Sequence, residues 1–493
     1  MRRVPCLAAA VLLGLVLTGT AVAGDWSRYG GDAQVTNDVS AAAAKSTGID
    51  AKTAGNMQQR WQANLDGGLV ASPLYLDALN GMQPLVYVAT ENGSVYALNA
   101  STGSVVWKRT FPTYETPDCG TYGISSTGVI DRSRGVLYVA AANGKAYALD
   151  LATGTTAPGW PVQLPIDPTT GYVWGALTLV GTTLYAPVSS FCDEPSPNTG
   201  LFPTGGLYAI DTATASNGVV FAVSGTHNLG GIWGYGGASV DPDNGDLWVA
   251  TGNSEPLGAG ETKGFAEAVV ELDPSLNVIA WNRPAEIPAE ELDTDFGSTP
   301  LLFQPDGCPP LAAAHNKNGN LYIWRRDNLA GGPIVTMQIG PHDLNTPFLA
   351  EPSWSSDLQT LYISNARLFG PTGVTDYSPV VALTVGPNCT FPSKPTWAVD
   401  AGLGTKPPPL VVGDVLFVAG GDATSFSIID ANTGLLLRVF FLGDTLYSSP
   451  ILAGNDVVVG NSSGSVFAFA APQSATPAPT PRHRIRRRHL PGT

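Results

Sequence analysis

The stretch VYVATENGSVYALNASTGSVVWKRT, from Val86 to Thr110, decides the fold. Val86 to Ala89 is apolar and strand-forming, which predicts a β-strand ending at Thr90. Glu91-Asn92-Gly93 then reads as a turn, because Gly accepts the positive φ that a tight hairpin requires. A second strand follows from Ser94 to Asn99, Ser101-Thr102-Gly103 turns again, and a third strand carries Trp107. The pattern returns as LYVAAANGKAYALDLATG, from Leu137 to Gly154. Looser copies are LYAPV with GGLYAID, LWVATGN with AVVELDPS, LAAAHNKNGNLYIWRRD, LYISN with PVVALT, LFVAGGDATSFSIIDANTG, and VVVGNSSGSVFAFA.

That makes eight copies. Their matching strands end at Leu98, Leu149, Ile210, Leu272, Trp324, Leu383, Ile429 and Phe469, 40 to 62 residues apart. This is the period of four-stranded propeller blades with insertions in their loops. Segments around Trp107, Trp160, Phe221, Trp281, Ile334, Trp397 and Phe440 supply seven outer strands. The last copy, Leu446 to Ala470, has only three, so its fourth must come from the N-terminal side, where RWQANL (Arg60 to Leu65) has the right form. Such closure leaves no sheet edge open. The expectation is an all-β, eight-bladed β-propeller closed by an N-terminal strand. Seven blades is the alternative, since copies six and seven are the least regular.

Composition agrees. The chain has 493 residues with 57 Gly and 40 Pro, about a fifth of the sequence against an ordinary share of about 12%. It is 44% hydrophobic and only 13% charged, so it can bury a large core but disfavours long helices. The net charge is −15, although Arg2, Arg3, Arg482, Arg484 and Arg486 to Arg488 crowd the two ends. The body between them is therefore more acidic still, which argues against a nucleic-acid partner.

Residues 1–23, MRRVPCLAAAVLLGLVLTGTAVA, have the form of a secretory signal peptide: two arginines, an apolar run, and Ala21-Val22-Ala23. The expected division is signal 1–23, a leading segment 24–57, the propeller 58–470, and a Pro- and Arg-rich tail 471–493. The expected location is secreted or periplasmic, with no transmembrane span and possible envelope contact through the tail. Four cysteines lie beyond the signal and suggest two disulfides. Of three possible pairings, Cys119–Cys192 and Cys308–Cys389 are expected.

The Y/V-A-L/I-D-x-x-T-G signature, with Trp in the strand after it, resembles the pyrroloquinoline quinone (PQQ) repeat family. DWSRYGGDAQVTN, from Asp25, looks like the opening of mature quinoprotein dehydrogenases. The pattern is closer to the polyvinyl-alcohol-dehydrogenase-like branch than to the methanol or ethanol enzymes. The resemblance implies an exported oxidoreductase that oxidises an alcohol with PQQ and Ca²⁺ in the central channel. It equally admits a cofactor-free propeller acting as a protein-binding or scaffold module of the envelope, because fold does not fix function.

Motif by motif, the resemblance nominates residues. In GGIWGYGGASVDPDNGDLWVATGNSEP, Gly230 to Pro256, Trp233 would be the floor beneath the quinone and Asn253 a calcium ligand. In LDTDFGSTPLLF, Leu292 to Phe303, Asp295 would be the general base, with Asp293 as the alternative. In HNKNGNLYIWRRD, Lys317 would face the quinone oxygens. Glu194, beside Asp193, is the match for the calcium glutamate. His227 and His342 could line the channel. The sequence also departs from the dehydrogenases: it has no Cys-Cys pair and no CxxCH haem motif, so electrons would pass to a separate acceptor.

Overall fold

A computed structural model describes residues 24–472, apart from 117–119, 191–192, 255–262, 288–292, 341–349, 365–367, 370–374, 377–379, 402–406 and 421–423. Residues 1–23, expected to be a signal peptide, the tail from 473, Cys119, Cys192 and His342 lie outside the described residues.

Eight blades form a ring around a central channel, and each is an antiparallel sheet whose four strands run outwards in chain order. Blade 1 is Leu74–Leu76, Leu85–Ala89, Ser94–Asn99 and Val105–Thr110. In blade 8, Ile451–Ala453, Asp456–Gly460 and Ser465–Ala470 come from the C-terminal end of the ring. Gln58–Asn64 adds its outer strand, pairing Gln58 with Ala470 and Asn64 with Ser465. The expected N-terminal closure is therefore the one observed, with eight blades rather than seven.

The repeat signature has a mechanical reading. In three places an outer-strand Trp lies over the Thr-Gly turn of the next blade. Trp61 Nε1 donates to the Ala100 carbonyl at 2.8 Å, Trp107 Nε1 to Leu151 at 3.0 Å, and Trp397 Nε1 to Ala431 at 3.2 Å. The turn glycine beneath must be Gly twice over. Gly154 has φ +67°, and a Cβ there would sit 2.6 Å from the Trp107 ring. The Asp before the turn holds it shut, as Asp150 does by accepting from the amides of Ala152 and Thr153. Each D-x-x-T-G thus staples one blade to its neighbour. Apolar inner faces do the rest, with Val86, Leu98, Val457 and Phe469 among many fully buried side chains.

One element was not foreseen. Residues 26–39 do not simply lead into the ring; they run across one end of the channel and meet the inner strands in blade order. The Trp26 carbonyl accepts from Tyr75 in blade 1, Ser27 from Ile130 in blade 2, Ala33 from Val240 in blade 4, Gln34 from Leu302 in blade 5, and Thr36 from Trp354 in blade 6. Asp38–Val39 then pairs in parallel with Leu410–Val412 of blade 7. Arg28 covers blade 3 through the Leu179 carbonyl, and the Tyr29 hydroxyl reaches Ser449 of blade 8 at 3.1 Å. The inner strands are only two or three residues long, and their channel-side amides need acceptors; this strap supplies them. The helix Ala41–Thr47, capped by Ser40, carries the chain outwards to Gln58–Asn64. Cys308 and Cys389 form a disulfide at the same end, between blades 5 and 6.

No helix among the described residues is long and apolar enough to cross a membrane.

Candidate active site

The opposite end of the channel, the mouth, is made by connections leading into inner strands and by turns between second and third strands. Five loops from blades 3 to 5 converge there. Asp193 follows Thr183–Ser190, Trp233 precedes Ser239–Val240, and Asn253 follows Leu247–Ala250. Asp293 and Asp295 precede Leu301–Phe303, and Lys317 lies in the turn after Leu311–His315.

Lys317 is the centre. Its Nζ lies 2.6 Å from Asp293 Oδ1 and 2.7 Å from Asp295 Oδ2, so one ammonium joins both aspartates. Asp295 is 4% exposed and Lys317 5%, whereas the Asp293 side chain is 41% exposed. The other oxygen of Asp295 accepts from the Asn253 amide at 2.6 Å, and its carbonyl accepts from the Lys317 amide at 3.0 Å.

Electrostatics divide the acids. Burial alone would raise the Asp295 carboxyl, but attraction to Lys317 and the hydrogen bonds from Lys317 and Asn253 outweigh it and hold its pKa below the usual value. Asp293 goes the other way. Partial burial and repulsion from Asp295 push it up to about 7, against the pull of Lys317. Burial works against the charge of Lys317, yet the two carboxylates keep its pKa above the ordinary lysine value. Asp193 is raised by burial, with a hydrogen bond from Ser190 opposing and the Asp295 charge adding to the rise. Two neighbouring carboxyls pushed apart in pKa are the pattern that separates a base from an acid.

Trp233 stands against the same spot. A Cβ on Gly252 would lie 2.6 Å from Asp295 Oδ1 and 2.8 Å from Trp233 Nε1, so only Gly lets indole and carboxylate share that wall. Beyond Trp233 an aromatic wall continues: Trp174 at 6.4 Å between centroids, then Tyr172 at 5.9 Å and Tyr122 at 5.0 Å. Trp174 was missed in the sequence, though a signal existed. Val173-Trp174-Gly175-Ala176 and Ile232-Trp233-Gly234-Tyr235 occupy matching places in consecutive blades.

The nominated residues fall into two groups. Trp233, Asn253, Asp293, Asp295 and Lys317 come together. Glu194 does not: it is exposed, and Asp193 one residue earlier is the side chain that senses Asn253, Asp295 and Lys317. A turn sets the direction: Asp193 has φ +54°, and its carboxylate accepts from the Ser190 hydroxyl. His227 is also exposed, its Nδ1 facing the Phe202 carbonyl. A cavity of about 490 Å³ lies at the strap end, lined by Asp32, Asp38, Gln304 and Trp354, far from this cluster.

The PQQ_2 family model, described as outer membrane protein assembly factor BamB, matches residues 47–218. Over those residues the chain is similar to the PQQ-repeat family. Solved structures agree over much more of its length. Quinohemoprotein alcohol dehydrogenase from Comamonas testosteroni is 16% identical with a TM-score of 0.71, over 94% of this chain and 82% of that one. A europium-containing methanol dehydrogenase is 15% identical with a TM-score of 0.73, over 91% and 98%. BamB from Moraxella catarrhalis is 14% identical with a TM-score of 0.55, over 85% and 99%. At these identities the likeness is one of fold. No curated protein sequence matches this chain.

The residues present suit the groups that the resemblance implies. Asp193, Asn253 and Asp295 offer only oxygen donors, the choice of a hard cation such as Ca²⁺. Among the described residues, no three His, Cys, Asp or Glu are already drawn together as a metal cage. Lys317 sits between two of the acids, so a cation would share their charge with it. Trp233 has its indole N–H buried with no protein acceptor, near Asp295 across Gly252. That donor and the Lys317 ammonium fit a planar, oxygen-rich ligand.

Proposed function

We propose that this propeller is an exported oxidoreductase that oxidises an alcohol, with PQQ and a hard cation held at the mouth. The observation that carries the reading is the Asp293–Lys317–Asp295 bridge beside Trp233 and Asn253. When bound, the quinone would supply the two-electron acceptor. The chain's own residues would do the rest. Trp233 would support the flat ring, with Trp174 and Tyr172 behind it excluding water. Asp193, Asn253 and Asp295 would hold the cation through oxygen. Asp295, kept ionised by Lys317, would accept the hydroxyl proton at its carboxylate. Asp293, titrating near neutrality and open to solvent, would pass that proton out. Lys317 would offset negative charge gathering at the site. One structural neighbour contains europium, which makes a trivalent ion a reasonable second cation to try.

A second reading, a protein-binding scaffold without cofactor, is favoured by the family model, whose match to an assembly factor spans blades 1 to 3. One experiment separates the two. The purified protein is titrated with PQQ in the presence of Ca²⁺ or Eu³⁺, following absorbance and dye reduction with primary, secondary and polymeric alcohols. Saturable binding at micromolar quinone supports the enzyme, and its absence with both ions overturns it. Asp295→Asn should then lower turnover by about 10²–10⁴-fold while the quinone stays bound.

A further inference from the structure

We infer that Glu267 is a positioning residue for the mouth, fixing the two loops that present Asp295 and Asn253. Glu267 is 0% exposed, and its carboxylate is divided between two partners. Oε2 pairs with Lys263 Nζ at 2.8 Å, and Oε1 accepts from Thr294 Oγ1 at 2.7 Å. Thr294 is the residue between the two aspartates, so Glu267 grips the acidic pair at its middle. Asn316 holds the same residue from the other side, its Nδ2 donating to the Thr294 carbonyl at 2.8 Å.

The backbone of Glu267 grips the second loop. Its amide donates to the Gly252 carbonyl at 3.0 Å, immediately before Asn253. The Phe296 amide donates to the Thr251 carbonyl at 3.3 Å and ties the two loops together. Glu267 also adopts a φ of +54°, a left-handed conformation that costs a non-glycine residue and persists only where surroundings impose it. Two residues before their third strands, other described blades carry small neutral side chains: Asn92, Asn143, Thr204, Asn318 and Ser463. A buried, paired carboxylate at this place is peculiar to blade 4 among the described positions, and blade 4 is the middle of the three blades that build the site. Burying a charge is costly unless it is paired and bonded, and its partner here leads straight to the acids.

The consequence for a bound cation rests on the proposed reading of the mouth; the consequence for the loops does not. The test uses the full chain with Glu267→Ala, Thr294→Val and Thr294→Ser. Thr294→Val loses only the hydroxyl and so remains informative should Glu267→Ala fold poorly. In the metal-free protein, hydrogen exchange at the Asn253, Phe296 and Lys317 amides should quicken about tenfold in Glu267→Ala and Thr294→Val. It should quicken no further in the double variant, and Thr294→Ser should keep its protection. Terbium affinity, read by tryptophan-sensitised luminescence, should fall by about tenfold in the same variants. Unchanged protection in folded Thr294→Val would overturn the inference, as would loosening that is equal in blades 1 and 2. A wild-type protein that takes up no terbium sinks the metal reading, while the exchange measurement still decides the role of Glu267.

Discussion

The two ends of the channel are built on opposite principles. At the strap end, backbone carbonyls of residues 26–39 satisfy backbone amides of blade after blade, and what each blade contributes is nearly the same. At the mouth, side chains from blades 3 to 5 crowd into one sector, and no two blades contribute alike. Repetition closes the ring; departure from repetition makes the site. Lesions at the strap end should therefore cost stability with little local chemistry, and lesions at the mouth should do the reverse.

The largest effect expected comes from deleting residues 24–39. Each buried amide left without an acceptor costs about 1–3 kcal/mol. Losing several exceeds much of the roughly 5–15 kcal/mol that holds a domain folded. Cooperative thermal unfolding should disappear, and a midpoint lowered by less than about 5 °C would show that the strap is ornamental. Next is the disulfide at the same end, which spans 81 residues. Replacing Cys308 and Cys389 by Ser should cost about 4 kcal/mol in denaturant titration by loop-closure entropy, with cation affinity unchanged.

At the mouth, Lys317→Met leaves Asp295 buried and unpaired, at about 3 kcal/mol. Unlike the strap-end changes, it should also raise the Asp295 pKa and weaken the site; a variant that kept both the low pKa and full stability would mean the bridge is screened by water. The smallest effect concerns Glu351, fully buried between the ends near Tyr29, whose carboxyl burial pushes up to about 7. A raised carboxyl pKa means the unfolded chain gives up its proton first. Stability should then fall as pH rises from about 4.5 through 7 and level off above. The cost is at most about 3 kcal/mol. Glu351→Gln should flatten that part of the pH–stability curve; an unaltered curve would show that Glu351 ionises freely.

Much of the ring was legible because the same physics is written eight times. Strand, turn and strand recur in all eight copies and reinforce one another, and in three places an overlying Trp adds a staple. The strap was not legible, because carbonyl oxygens carry no sequence signature: Ala33, Gln34 and Thr36 serve through groups that nearly every residue has. In the site, Asp295, Lys317 and Asn253 were found through motifs, and their convergence follows from strand ends sharing one rim. Glu194 was chosen over Asp193 because the undecided element was which of two adjacent side chains faces inwards after an insertion. Glu267 gave no signal at all, since its role depends on a contact with Thr294 that no local pattern announces.

The strap also constrains the order in which the molecule can come together. Its residues precede every blade in the chain, yet Asn37 and Val39 bond to Val411 and Gly413, and Gln58–Asn64 waits for Ser465–Ala470. Contacts this distant in sequence make assembly slow. No early blade set can be sealed at either its edge or its floor until the last blade exists. A partly assembled ring would thus stay open, and its edge and floor would lock only once the last blade had formed.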